Sequence, residues 1–145
     1  MWFKVKSVAI AAVLTTVASL RPASAGIDGL IGDWRNADPA TRGIVRIAIS
    51  GGAEGIDIHI WGACHPSPCD WGSVKASAFA ANVSASLPED TVYLQADFLT
   101  SFSMTRVIVG PVAPGGPLQT LSLTHFTDGS NRSDYATASS FIKSP

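Results

Sequence analysis

The sequence predicts an all-β fold: a single antiparallel up-and-down β-barrel of about eight strands, with a β-sandwich as the alternative. Two segments alternate β-branched residues with polar or small ones, as expected of strands with one buried face. Six weaker alternations are spaced almost regularly along the chain, with turn-rich sequence between them. Because the connections are short, neighbouring strands should pair antiparallel, and closure would leave no exposed sheet edge. The candidate strands are residues 30–36, 43–50, 55–62, 74–80, 91–99, 104–112, 118–126 and 132–141.

The N-terminal segment has the layout of a secretory signal peptide. Two lysines among the first six residues precede an uncharged, mostly apolar run over residues 7–20, and a small-residue Ala-Ser-Ala sequence ends at Ala25. The run is shorter than the roughly 20 residues that a membrane-spanning helix needs. We therefore expect residues 1–25 to be a signal peptide and residues 26–145 a secreted domain with no membrane contact after cleavage. A retained N-terminal anchor is the alternative.

The strongest evidence for strands comes from residues 43–50 and 55–62. Both segments carry aliphatic residues at every second position, and residues 51–54 between them have the composition of a turn. Pairing of Ile47 with Ile58 would put both aliphatic stripes on one face of the sheet. We expect that face to form the core and the polar face to point outward. The stripes are Val45, Ile47, Ile49, Ile56, Ile58 and Ile60, and the polar face carries Arg46, Asp57, His59 and, on a later strand, Arg106.

The other strands are less strongly patterned. Residues 75–87 are rich in alanine and serine, so a short helix is the alternative to a strand over 74–80. The strand over residues 118–126 is supported by Leu121 and Leu123. Proline, glycine, asparagine and aspartate dominate the sequences between the strands, which is typical of turns.

The charge balance excludes polyelectrolyte partners. Charged residues make up 14% of the chain, and ten basic against eleven acidic residues give a net charge of −1. Cleavage of the expected signal peptide would leave seven basic and eleven acidic residues, a net charge of −4. A chain without a basic field is not expected to bind nucleic acid or anionic lipid.

The first strand carries a family motif. The sequence Gly32-x-Trp34-x-Asn36 resembles the opening of the calycin barrels, which include lipocalins and avidins. In lipocalins this tryptophan plugs one end of the barrel, so the resemblance implies that role for Trp34. In avidins the asparagine lies near the ligand end, so the resemblance implies that position for Asn36. The ligand-lining tryptophans that avidins carry later in the chain are missing, so neither family's ligand is implied.

A second motif is similar to one found in small secreted domains of unknown function. It reads Trp61-Gly62-x-Cys64-x4-Cys69-Asp70-Trp71-Gly72. Those domains also open with the G-x-W-x-N segment and end with an F-x-D…D-Y segment, so the similarity spans nearly all of residues 26–145. It implies a barrel and export, and it implies no activity.

The two cysteines of that motif are expected to form a disulfide, because an exported chain with one cysteine pair is normally oxidised. Cys64 and Cys69 enclose His65 and two prolines, and Trp61 and Trp71 flank the loop. One interpretation is a stapled loop with the tryptophans packed beneath it. The other is a rigid aromatic loop that recognises a ligand. The cysteine spacing fits no common zinc site, so we expect neither a metal nor a cofactor.

No sequence pattern indicates catalysis. The chain has no G-x-S-x-G elbow, and its histidines stand on separate predicted strands or on the cysteine loop. We leave enzyme activity open and favour its absence. An enzyme that uses His59 or His125 is the second alternative function.

The function that the sequence favours is a secreted, non-enzymatic binding module. Its ligand would be a small molecule or a glycan, bound at one barrel end. The candidate binding residues are Trp34, Asn36, Trp61, His65 and Trp71. The first alternative is an inhibitor or interaction protein that contacts a secreted protein through the rigid Cys64–Cys69 loop.

Overall fold

A computed structural model describes residues 25–52 and 54–145. The predicted signal peptide lies outside the described residues, apart from Ala25. One short helix and eight strands follow, and their bounds are α1 Gly26–Leu30, β1 Gly32–Asn36, β2 Ile44–Gly52, β3 Gly55–Gly62, β4 Cys69–Ala80, β5 Thr91–Leu99, β6 Ser103–Val109, β7 Leu118–Phe126 and β8 Tyr135–Lys143.

The strands form a closed antiparallel barrel in sequence order, which confirms the predicted fold and excludes the sandwich. β1 pairs with β2 on one side and with β8 on the other, so the sheet has no free edge. The helix alternative for residues 75–87 is wrong, because β4 continues to Ala80 and pairs with β3 and β5. Its alternate residues Val74, Ala76 and Ala78 pack against the core, as a period of two requires.

The aliphatic stripes of β2 and β3 form the core, although in a different register from the expected one. Ile47 pairs with Ile60, and Ile49 pairs with Ile58, so the register is shifted by two residues. A shift of two preserves side-chain parity, and all four side chains are therefore buried on the same face. The expectation for Val45 is wrong: the register shifts just after Ile44, which is buried instead. An extra residue in a strand reverses which neighbour faces inward.

The inner wall of β6 and β7 is lined largely by hydroxyl groups. Thr105, Thr120 and Thr124 are buried, whereas Leu121 and Leu123 of β7 are exposed on the outer wall. The two inner threonine hydroxyls Thr105 Oγ1 and Thr124 Oγ1 lie 3.1 Å apart and hydrogen-bond each other. The leucines that support the β7 prediction therefore face solvent, while the threonines on either side of them, Thr120 and Thr124, face the interior.

The polar face of the sheet points outward, as expected. Arg46 hydrogen-bonds Asp33 of the neighbouring strand with two nitrogens. Arg106 Nε and Nη2 donate to the two carboxylate oxygens of Asp97, each at 2.8 Å. Lys75 Nζ donates to Asp57 Oδ2 at 2.8 Å. These cross-strand pairs link neighbouring strands on the solvent side of the barrel.

The ion pairs predict a loss of stability in acid. Hydrogen bonds from Arg46 lower the pKa of Asp33, and those from Arg106 lower the pKa of Asp97. A lowered carboxyl pKa contributes stability that is complete above the ordinary value of 3.8 and is lost as pH falls through the lowered value. We expect the free energy of unfolding to fall below about pH 4. Urea unfolding from pH 7 to pH 2 should show a shallower decline for the double variant Asp33→Asn/Asp97→Asn, and parallel curves would contradict this account.

The two ends of the barrel differ. At one end, which we call the closed end, α1 covers the opening, and Trp34 Nε1 donates to the Leu30 carbonyl at 2.9 Å. Trp34 is 1% exposed, so the indole fills this end. The opposite end, which we call the open end, gathers the loops 37–43, 63–68, 100–102 and 127–134.

Candidate functional site

A β-bulge brings Trp71 to the open end. Trp61 pairs with Asp70, and Ile60 pairs with Gly72, so Trp71 is the extra residue on β4. Gly72 has a φ of +85°, a conformation that glycine adopts without strain. The Trp71 ring packs edge-on against the buried Phe98, with 6.0 Å between ring centroids. The bulge therefore aims this indole at the barrel interior, whereas its neighbour Trp61 stays on the outer wall.

Trp71 forms one wall of a cavity of about 300 Å³, which we call the mouth. That volume lies at the lower limit for small-molecule sites. The hydroxyls of Thr105 and Thr124 line its inner part, and both residues are buried. Its aromatic lining consists of Trp71, Phe98, Phe102, Phe126 and Tyr135.

Asp70 brings a carboxylate to the mouth. Its Oδ1 accepts hydrogen bonds from the Gly72 backbone N–H at 2.7 Å and from His59 Nε2 at 2.6 Å. These two hydrogen bonds lower the pKa of Asp70, and the bond from the Gly72 N–H has the larger effect. The carboxyl group is therefore ionised at neutral pH. Its Oδ2 has no hydrogen bond within residues 25–52 and 54–145, and the side chain is 57% exposed. One carboxylate oxygen is therefore available to a ligand.

A similar histidine–aspartate pair lies beside Tyr135. Asp134 accepts hydrogen bonds from His125 Nδ1 at 2.6 Å and from the Phe126 N–H at 2.9 Å. The bond from His125 is the main cause of the lowered pKa of Asp134. Each aspartate also accepts a backbone N–H at a mouth aromatic: Asp70 from the residue after Trp71, and Asp134 from Phe126 itself. The pairs hold the rim of the mouth in place.

The histidines do not converge. His59 is on β3 and His125 is on β7, four strands apart around the barrel. His65 is exposed on the cysteine loop. Among the described residues, no group of three or more histidine, cysteine, aspartate or glutamate side chains is placed to hold a metal ion.

Trp61 and Asn36 lie beside the mouth rather than within it. Both line a shallow cleft of about 530 Å³ on the outer wall. The Trp61 ring stacks on His59 with 4.0 Å between centroids and has the Arg46 guanidinium 4.2 Å from its centre. Asn36 Nδ2 donates to the Ile44 carbonyl at 2.8 Å, and its Oδ1 accepts from the Asp38 N–H at 2.8 Å. The polar atoms of Asn36 therefore hold the loop that follows β1.

The predicted disulfide between Cys64 and Cys69 is present. It closes the exposed loop that carries His65, next to the mouth. Trp34 is at the opposite, closed end, where it lines a separate surface cavity with its few exposed atoms. Of the five candidate binding residues, the structure therefore brings Trp71 alone into the mouth.

The disulfide should contribute little to global stability. It encloses a loop of six residues, so the loop-entropy estimate is about 2 kcal/mol. We expect the double variant Cys64→Ser/Cys69→Ser to unfold about 2 kcal/mol more easily and to keep the far-UV spectrum of the barrel. Urea unfolding with and without reductant measures the same quantity in the unmodified chain. Loss of the β spectrum would show instead that the loop holds the barrel together.

Most of the mouth residues were not predicted as site residues. Asp70 directly precedes Trp71 in the cysteine motif. This adjacency was the best sequence signal that Asp70 belongs to the site. The alternation of hydroxyl-bearing residues with Leu121 and Leu123 in β7 is a signal for a polar face, but the alternation alone does not show which face lies inside. Phe102 and Tyr135 come from loop-adjacent positions that only the closed barrel brings together.

Within residues 25–52 and 54–145, no helix reaches the length and apolarity that a membrane crossing requires. Comparison with known proteins finds no matching family model, no matching curated protein and no matching solved structure.

Proposed function

We propose that the chain is a non-enzymatic binding module that takes a small molecule, or the end of a glycan, into the mouth. The observation that carries the proposal is the bulge at Trp71, which turns a large aromatic side chain inward at the barrel end that no helix of residues 25–52 and 54–145 covers. Aromatic walls with a few polar groups are the usual composition of small-molecule sites. The free oxygen of Asp70 and the hydroxyls of Thr105 and Thr124 are those polar groups here.

Secretion is part of the proposal. The disulfide between Cys64 and Cys69 is compatible with an oxidising compartment. The charged, apolar and small-residue pattern of residues 1–25 supports export. Kinship with the calycin barrels, suggested by the motif around Trp34, also remains a proposal.

The separation of the histidines favours binding over catalysis. His59 and His125 are each hydrogen-bonded to a different aspartate and lie on different sides of the barrel. Each imidazole therefore has a structural partner at the rim of the mouth.

A second candidate function is that of an inhibitor or interaction protein. The observation that favours it is the stapled loop, in which His65, Pro66, Ser67 and Pro68 are all exposed. A short, rigid, protruding loop is well suited to enter a cleft of another secreted protein.

Native mass spectrometry of the protein purified from cells that express the full chain tests the proposal. We expect the wild type to retain a small co-purifying molecule and the Trp71→Ala variant to lose it. A matched control is Trp61→Ala, which removes an outer-wall indole and should keep the added mass. Co-purification of a protein, with the mouth empty, would favour the second candidate.

A further inference from the structure

We infer that the mouth binds an organic cation, specifically a quaternary or alkylated ammonium group such as that of choline. The inference rests on the proposed function and names its ligand class. Five aromatic side chains and a partly free carboxylate surround one cavity of about 300 Å³. Aromatic rings attract a cation through the negative potential of their faces, and alkylated ammonium groups suit such cages because they are weakly hydrated.

Two of the aromatic rings that line the mouth already contact a cation, the guanidinium of Arg132. The guanidinium carbon of Arg132 lies 4.0 Å from the Phe126 ring centre and 5.3 Å from the Phe102 ring centre. Arg132 is itself held by Asp128, with 2.5 Å between Nη2 and Oδ2. Within the described part of the chain, Trp71, Phe98 and Tyr135 have no such cation. The exposed rings of Trp71 and Tyr135 therefore remain available to a cationic ligand.

The charge around the mouth also favours a cation. The segments that border it carry three carboxylates and one guanidinium, those of Asp70, Asp128, Asp134 and Arg132. Asp128 is paired with Arg132, and Asp134 is hydrogen-bonded to His125. Asp70 keeps Oδ2 free and lines the cavity. An ammonium group would be stabilised by this carboxylate.

Neutral sugars are the closest competing ligand class, because hydroxyls can also bond Asp70 and stack on Trp71. The polar lining deeper in the mouth is partly occupied, since the hydroxyls of Thr105 and Thr124 bond each other at 3.1 Å. A sugar ring needs several hydrogen-bond partners, while an ammonium group needs ring faces and a carboxylate. The aromatic lining therefore fits the cation better.

Isothermal titration calorimetry with choline chloride tests the inference, with 3,3-dimethylbutan-1-ol as the neutral isostere and methyl α-glucopyranoside as the sugar. We expect choline to bind at least tenfold more tightly than the neutral alcohol. Asp70→Asn should weaken choline binding at least tenfold and leave the alcohol unchanged, which also reports that the mouth keeps its shape. Asp57→Asn is the matched control, because Asp57 is a carboxylate on the outer wall paired with Lys75.

The outcomes separate the two proposals. Equal affinity for choline and its neutral isostere would overturn the cation inference and leave an apolar binding site. Binding of the glucoside without choline would overturn it in favour of a glycan module. If no probe binds the wild type and Arg132→Gln, which frees the Phe126 face, also binds none, the cation inference is wrong, whereas the binding function is overturned only if the wild type also carries no co-purified molecule.

Discussion

Replacement of Trp34 by alanine is expected to lower the free energy of unfolding by about 3–5 kcal/mol. The indole is 1% exposed and fills the closed end beneath α1. Its removal leaves a large cavity and also leaves the Leu30 carbonyl without its 2.9 Å hydrogen bond. Because small domains are stable by only about 5–15 kcal/mol, this single change approaches the limit that the fold tolerates.

Urea unfolding followed by far-UV circular dichroism measures this effect. Trp34→Phe is the matched variant: it keeps most of the apolar volume and loses the indole N–H, so it should cost less than half as much. A Trp34→Ala protein with wild-type stability would show that the closed end is not part of the core.

Replacement of Trp71 by alanine is expected to abolish ligand binding at the mouth, with at least a hundredfold loss of affinity. The structural reason is that Trp71 is 38% exposed and forms one wall of the cavity. Its packing on Gly62 and Phe98 is limited, so the cost in stability should be about 1–2 kcal/mol. Trp71→Ala should therefore lose binding with little loss of stability, whereas the main effect of Trp34→Ala should be a loss of stability.

Gly62→Ala provides a second way to disturb the same wall. A Cβ at position 62 would lie 2.6 Å from Trp71 Nε1, so the indole must move. We expect weaker binding with Trp71 still present, measured by the same titration.

If Trp71→Ala unfolds the chain or binds as well as the wild type, Trp71 is not a recognition residue.

The barrel could be predicted because its evidence is local. The alternation in β2 and β3 and the turns between strands are properties of short segments, and β5 and β7 have the predicted bounds of residues 91–99 and 118–126. The predicted core isoleucines of β2 and β3 are buried although the register differs by two residues, because a shift of two leaves each side chain on the same face of the sheet. The bulge near Val45 was not visible, because a bulge depends on the pairing of two strands rather than on either one alone.

The candidate site was only partly predictable for the same reason. Trp61 and Trp71 flank the cysteine loop almost symmetrically in sequence, yet one lies on the outer wall and the other lines the mouth. The bulge before Gly72 makes that difference. Asn36 was expected near the ligand end by resemblance, and it lies at the open end with both side-chain polar groups bonded to the backbone.

The indole N–H signals of the tryptophans report whether the open end of the barrel is the ligand site, as we propose. A ¹H–¹⁵N spectrum of the protein should be recorded while choline and the neutral alcohol are added in turn. We expect the Trp71 signal to shift in a saturable way, while the signals of Trp34 at the closed end and Trp61 on the outer wall stay in place. Saturable shifts of Trp61 alone would place the ligand on the outer wall and exclude the open end as its site.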